Sequence, residues 1–134
     1  MSGFDLDKAP TVIEREDAGR VVPIKDEAGR EMDGVTMTVC GTYSKRYRRA
    51  MEQRADRRFR DQRRTVEPEA LRQEALEVVA DCVLGWTGFV ASGVALDCTR
   101  PNVVKVFTLA PWIHEQVAAA MDDHASFSVA SSGN

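Results

Sequence analysis

Hydrophobic and polar residues alternate within residues 20–40. Val22 and Ile24 stand two positions apart, and residues 35–39 alternate valine or methionine with threonine. A period of two is typical of a β-strand with one buried face. The run 26–29 and the Asp33-Gly34 pair carry the acidic and glycine residues of turns, which predicts two strands joined as a hairpin.

The first of these strands contains Pro23, which has no N–H group to donate to a neighbouring strand. We therefore expect this strand at the edge of its sheet. A hairpin alone is only marginally stable in water. The predicted hairpin must lie against helices or pair with another chain, which leaves self-association open.

From Gly41 onward the hydrophobic period becomes helical. Residues that recur every four positions predict one long helix with a narrow apolar stripe, and these are Tyr43, Tyr47, Met51, Ala55 and Phe59. Thr42 or Ser44 has the side chain of an N-cap. Arg63 and Arg64 lie near the predicted end of the helix, where positive charge complements the helix dipole.

Prolines and a threonine predict where the later helices begin. Pro68 is typical of a first helical turn, and the wide apolar stripe from Leu71 to Trp86 predicts a central helix that ends in Gly85-Trp86. Thr99 is expected to cap a short helix, and Pro111 to begin the last one. We expect large aromatic residues in the core, namely Trp86, Phe107 and Trp112.

These patterns predict a mainly helical α+β fold, in which an N-terminal β-hairpin or small sheet precedes a bundle of about four helices. One domain is expected over residues 20–127, with β structure in 20–40 and helices in 42–127. Residues 1–19 and 128–134 are polar or small and are expected to be flexible, although Val12 and Ile13 could pair at a sheet edge.

Composition fits a folded, water-soluble domain: the 134 residues are 43% hydrophobic and 29% charged, with a net charge of −3. The three cysteines are widely spaced and form no CxxC pair, so we expect reduced thiols rather than a zinc site or a disulfide framework.

The first fifteen residues lack the apolar run of a signal peptide. The apolar stretch Val78–Leu96 contains Asp81 and three glycines, so we expect no membrane span.

Charge is concentrated in residues 45–64, which hold ten basic and three acidic side chains, a net charge of +7 against −10 for the rest. Three interpretations stay open: binding of nucleic acid, a solvated face stabilised by ion pairs, and an arginine-rich surface for an acidic protein partner. The acidic remainder and the absence of a nucleic-acid-binding motif argue against the first.

Candidate catalytic groups are sparse. Of the two histidines, His114 is interpreted as a surface residue. Glu74 and Glu77 have no histidine near them in sequence to complete a metal set. The serines lack the glycine context of a nucleophile elbow. We therefore expect no enzyme activity, no cofactor and no metal.

Several short motifs follow one another in a fixed order along residues 20–127. They are the turn Asp26–Gly29, then Gly41, Ser44 and Tyr47-Arg48, then Gly85-Trp86, then Leu96, Thr99 and Asn102, then the run 111–117 (Pro-Trp-Ile-His-Glu-Gln-Val), and last Asp122 or Asp123 with Phe127. This order resembles the tail assembly chaperones of long-tailed bacteriophages and related prophages. Ala125-Ser126 departs from the family, in which an asparagine is more usual before the phenylalanine.

The resemblance implies a non-enzymatic protein of the bacterial host cytoplasm. It would bind the tape-measure protein, help to recruit tail-tube subunits during tail assembly, and be absent from the mature virion. We expect arginines of the basic helix to contact the partner, which would dock as an amphipathic helix; they are Arg46, Arg49, Arg57, Arg60 and Arg64. Two alternatives remain, a small nucleic-acid-binding regulator that uses helix 45–64 and a structural head or tail protein of the virion.

Overall fold

The computed structural model describes residues 3–61 and 67–132 and has an α+β fold that is mainly helical. After a short 3-10 helix, Leu6–Lys8, the elements in chain order are α1 (Ala9–Ala18), β1 (Arg20–Lys25), β2 (Glu31–Val39), α2 (Lys45–Asp61), α3 (Pro68–Asp81), β3 (Val83–Thr87), β4 (Val90–Ala91), β5 (Val94–Ala95), α4 (Arg100–Leu109), α5 (Pro111–Met121) and α6 (His124–Ser132). Arg63 and Arg64, predicted at the end of the long helix, lie outside the described residues.

The main sheet has three antiparallel strands in the order β1-β2-β3. Val22 pairs with Met37, and Met37 pairs on its other side with Trp86. β1 is an edge strand, as Pro23 predicted, and the alternation in β1 is confirmed because Val22 and Ile24 are buried. The first two strands are therefore part of a larger sheet rather than a hairpin alone.

The third strand corrects the prediction of a long central helix that ends in Gly85-Trp86. α3 begins at Pro68 as expected but ends at Asp81, and Gly85 and Trp86 lie in β3. A continuous apolar run is compatible with either a buried helix or a buried strand. Here the backbone of residues 83–87 pairs with β2 instead of continuing the helix. A small hairpin, β4–β5, follows β3, beyond the predicted end of that helix.

The N-terminal residues also differ from the prediction. Instead of a loose segment, residues 9–18 form α1, with a proline in its first turn, and Gly19 with φ 86° at its end. Val12 and Ile13 are helical and do not pair at a sheet edge. Glu16 in this helix is only 1% exposed.

At the other end of the chain, α6 extends to Ser132, beyond residue 127, after which a flexible tail was expected. α1 and α6 contact each other, and Arg15 Nη1 donates to Ser128 Oγ at 3.1 Å. Each terminal helix is stabilised by contact with the other, across more than a hundred residues of sequence. A local pattern of hydrophobic residues does not contain that information.

The core lies between the sheet and helices α3, α4 and α5. Phe107 is fully buried as predicted, whereas Trp86 is half-buried and donates its ring N–H to the Leu96 carbonyl at 2.8 Å. Trp112 is exposed, which corrects its assignment to the core. The predicted start of α4 is confirmed, because the Thr99 side chain caps that helix at Asn102 N.

Ser44 is the N-cap of α2, because its hydroxyl accepts from the Tyr47 N–H at 3.1 Å. The buried side chains of this helix are Ala50 and Arg54, neither of which belongs to the predicted apolar stripe. Most of the stripe is exposed instead, including Tyr43, Met51, Ala55 and Phe59.

Candidate protein-binding groove between the second and third helices

The exposed stripe of α2 forms one wall of an open groove of about 390 Å³. α3 forms the opposite wall and α5 closes the end. The groove is lined by Tyr47, Met51, Arg54, Ala55, Arg58, Leu71, Glu74, Ala75, Val78, Val79, His114 and Ala118. Most of these side chains are apolar, so water in the groove contacts a largely apolar surface.

Short side chains on both walls keep the groove open. Ala55 on α2 and Ala75 on α3 leave a gap between the two helices, while Val78 and Val79 are buried at its floor. The larger apolar residues stand at the mouth, where Met51 is 47% and Leu71 is 44% exposed. Contiguous exposed apolar surface of this kind marks sites of protein contact.

Ion pairs fix the two walls relative to each other. Arg58 of α2 forms an exposed pair with Glu74 of α3, with Nη2 2.9 Å from Oε1. Deeper in the molecule Arg54, 5% exposed, places Nη2 3.1 Å from Glu77 and 3.2 Å from Asp81. Arg100 adds a third cation, 2.6 Å from Asp81. The polar face of α3 is therefore neutralised by arginines, in agreement with the ion-paired interpretation of part of the basic helix.

His114 lies at the closed end of the groove rather than on the surface as predicted. It is half-buried, with its ring centroid 5.4 Å from that of Phe107. Burial lowers the pKa of His114, against smaller raising effects of Glu115 and the Ala75 carbonyl. Its Nε2 atom is buried and has no hydrogen-bond partner among the described residues.

The structure separates the arginines that were expected to contact a partner. Arg46 is held within the fold, because its Nε donates to the Asp81 carbonyl at 2.7 Å. The side chains of Arg49, Arg57 and Arg60 are exposed and make no ion pair or hydrogen bond with any described residue. Arg64 lies outside the described residues.

Arg49 and Arg60 lie on a different face of α2 from the face that lines the groove. At 100° per residue, Arg49 and Arg60 project from the face of α2 opposite Met51. The groove-side arginines, Arg54 and Arg58, were not among the predicted contact residues. Their helical spacing places them on the same face as Met51 and Ala55, and this spacing is the sequence signal that distinguishes them from the other arginines.

A second polar cluster joins α1 to the start of α6 and was not predicted from the sequence. His124 Nδ1 lies 2.6 Å from Glu16 Oε2, and the His124 ring stacks on Tyr43 with centroids 3.7 Å apart. His124 is half-buried between these partners.

Asp122 and Asp123 make side-chain hydrogen bonds in the same region. Asp122 accepts from the Thr42 hydroxyl at 2.9 Å, and Asp123 accepts from the Ser126 hydroxyl at 2.6 Å. The Ser126 hydrogen bond lowers the pKa of Asp123.

Comparison with protein-family models, curated proteins and solved structures finds no match to this chain. Within residues 3–61 and 67–132, no group of three or more His, Cys, Asp or Glu side chains is placed to hold a metal ion. No helix in the same described ranges has the length and apolarity to cross a membrane.

Proposed function

We propose that this protein is a non-enzymatic chaperone of phage tail assembly that binds a helical segment of the tape-measure protein and helps to recruit tail-tube subunits. It acts in the bacterial host cytoplasm and leaves before the virion is complete. We include in this proposal the architecture that the family resemblance implies, which is a strand pair followed by a bundle of about four helices. The observation that supports it is the open apolar groove between α2 and α3.

The groove suits an amphipathic helix as its occupant. From Tyr47 to Arg58 the α2 wall of the groove extends for roughly 16 Å, at 1.5 Å per residue, which is the length of about three helical turns. Such a helix would place apolar residues of its i, i+4 and i+7 positions between Met51 and Leu71. A tape-measure protein is a long helical chain with apolar surface to shield until the tail tube surrounds it.

The size of the groove favours reversible binding. A three-turn helix buries less than the roughly 800 Å² per partner that is typical of stable complexes. A chaperone that is absent from the finished particle has to release its partner, so a small contact fits this role. The half-exposed Arg58 at the groove favours a segment with an acidic residue beside its apolar face.

Co-expression with the tape-measure protein encoded in the same genome tests the proposal. We expect the double substitution Met51→Asp and Leu71→Asp to reduce co-purification at least tenfold, because it introduces two charges into the apolar mouth. Leu109→Asp is the matched control, since Leu109 is 70% exposed but does not line the groove. Circular dichroism establishes that the variants fold. Undiminished co-purification of the double variant would contradict the proposal.

The free arginines support a second candidate, a small nucleic-acid-binding regulator. Arg49, Arg57 and Arg60 are exposed and unpaired among the described residues, as phosphate contacts would be. This function predicts that the protein retards DNA or RNA in a gel at low salt. The retardation should be lost when all three arginines are replaced by glutamate. No retardation, together with weaker tape-measure binding by the same triple variant, would instead make this face part of the chaperone contact.

A further inference from the structure

The N-terminal segment, residues 3–8, carries two large apolar side chains that no other part of the described structure covers. Phe4 is 85% and Leu6 is 74% exposed. Asp5 between them has an extended backbone, with φ −101° and ψ 107°. Residues on either side of an extended position direct their side chains to the same side of the chain. Phe4 and Leu6 therefore form one exposed apolar edge, and Asp5 and Asp7 place a carboxylate next to each of them.

The groove between α2 and α3 has the complementary properties. Met51 and Leu71 stand half-exposed at its mouth, and the Arg58 side chain remains 53% exposed in its ion pair. Arg48 is exposed, and its side chain makes no ion pair or hydrogen bond with any described residue. Because Arg48 lies three residues before Met51, it places a second positive charge beside the groove. The groove thus combines apolar surface with positive charge, and segment 3–8 combines apolar surface with negative charge.

The two surfaces also match in length. The α2 wall of the groove extends for roughly 16 Å from Tyr47 to Arg58. An extended chain covers this distance in about five residues, at about 3.3 Å per residue. Residues 3–7 are five in number and include both apolar side chains and both carboxylates.

The groove that the segment fits is that of another molecule. Neither Phe4 nor Leu6 lines the groove of its own chain. The 3-10 helix Leu6–Lys8 continues into α1 without a linker, and α1 is held to α6 by the pair of Glu16 with His124. Docking on a second molecule requires no rearrangement of these contacts, because the apolar edge already faces solvent.

We propose that the N-terminal segment of one molecule docks in the groove of a second copy of this chain and covers it until the tape-measure protein displaces it. The contact uses the same groove as the proposed function and therefore rests on that function. It joins two different surfaces, so each molecule has one segment to donate and one groove to fill. With two apolar side chains the contact is small, which suits a cover that exchanges readily for a longer helical partner.

Sedimentation equilibrium of the full chain tests the contact. We expect the weight-average mass to rise above that of the monomer over about a hundredfold increase in protein concentration. Phe4→Asp with Leu6→Asp (the segment variant) and Met51→Asp with Leu71→Asp (the groove variant) should each remain monomeric over the same range. Val94→Asp is the matched control and should associate like the wild type, since Val94 is 68% exposed but belongs to neither surface.

A mixture of the segment variant and the groove variant distinguishes this contact from any other form of self-association. The groove variant keeps an intact segment and the segment variant keeps an intact groove, so the mixture should form one contact and stop at a heterodimer. Only the segment of the groove variant is needed for this result. A wild type that is monomeric throughout, a segment variant that still associates, loss of association in Val94→Asp, or a mixture that stays monomeric would overturn the proposal.

Binding of the tape-measure protein separates failure of this proposal from failure of the proposed function. The probe is a fluorescently labelled fragment of the tape-measure protein encoded in the same genome. At a free protein concentration of twice the self-association Kd, we expect the segment variant to bind it about threefold more tightly than the wild type, because its grooves are uncovered. Equal apparent affinities would overturn the role of the segment as a cover and leave the proposed function standing. Self-association in the predicted pattern without any binding of the fragment would instead contradict the proposed function alone.

Discussion

Glu16 and His124, which are 108 residues apart in sequence, form a hydrogen-bonded pair, with Glu16 Oε2 2.6 Å from His124 Nδ1. The other carboxylate oxygen of Glu16 accepts from the Tyr43 N–H at 2.9 Å. Three elements therefore meet at a single buried carboxylate: α1, the segment before α2, and the start of α6. The pair links α1, the first α-helix, to α6, the last.

We expect a double-mutant cycle to measure a coupling of about 1–2 kcal/mol between these two residues. Glu16→Gln keeps the shape of the side chain, and His124→Phe keeps the ring stacked on Tyr43. Urea denaturation of the wild type, both single variants and the double variant provides the coupling. The exposed pair Glu69–Arg72 is the control and should show almost none. A coupling energy near zero for the buried pair would show that the contact adds nothing to stability.

Gly41 has no space for a side chain because Glu16 occupies it. A Cβ at position 41 would lie 2.6 Å from the Glu16 carboxyl carbon and closer still to its oxygen. We expect Gly41→Ala to destabilise the protein by about 2 kcal/mol or more, as the carboxylate must leave its partners. Gly85→Ala is the control, because a Cβ there meets no atom within 4 Å. Equal melting temperatures of the two variants would contradict this account.

Local signals in the sequence were sufficient where an element depends on its own residues. The alternation around Val22 and Ile24, the helix starts at Pro68 and Pro111, and the Thr99 cap were all predicted correctly. Residues 83–86 were wrongly predicted as helix, because an apolar run does not reveal whether a neighbouring strand is available to pair with it. α1 and α6 depend on contact between the two ends of the chain, which no local pattern contains.

The groove was only partly predictable for a related reason. The apolar stripe of α2 was identified correctly, but the arginines of this helix were all expected on an exposed face that contacts solvent or a partner. The structure buries Arg54 instead, since Glu77 and Asp81 on α3 neutralise its charge. Burial of a charged residue depends on a partner in another element, so the face of α2 that turns inward could not be derived from α2 alone.

We expect Arg54→Ala to lower the free energy of unfolding by about 3 kcal/mol, because it leaves Glu77 and Asp81 with less compensation for their charge. Arg58→Ala should cost less than about 1 kcal/mol, since the Arg58–Glu74 pair is exposed to solvent. Chemical denaturation of both variants at the same pH and ionic strength compares them directly. A cost for Arg58→Ala as large as that for Arg54→Ala would show that burial does not distinguish the two pairs.

His114 should make stability depend on pH. Burial lowers its pKa in the folded protein below the ordinary value of 6.5, so the unfolded chain binds more protons as the pH falls through this range. The contribution of neutral His114 to stability is therefore complete above pH 6.5 and declines as the pH falls toward the folded-state pKa.

His114→Leu keeps the apolar contact with Phe107 but cannot be protonated. We expect the wild type to lose more stability than this variant between pH 8 and pH 5 in urea denaturation. Carboxylates such as Asp26 and Asp123 titrate at lower pH and are common to both proteins, so they cancel in the difference. Parallel pH profiles would mean that the ring is protonated as easily in the folded protein as in the unfolded chain.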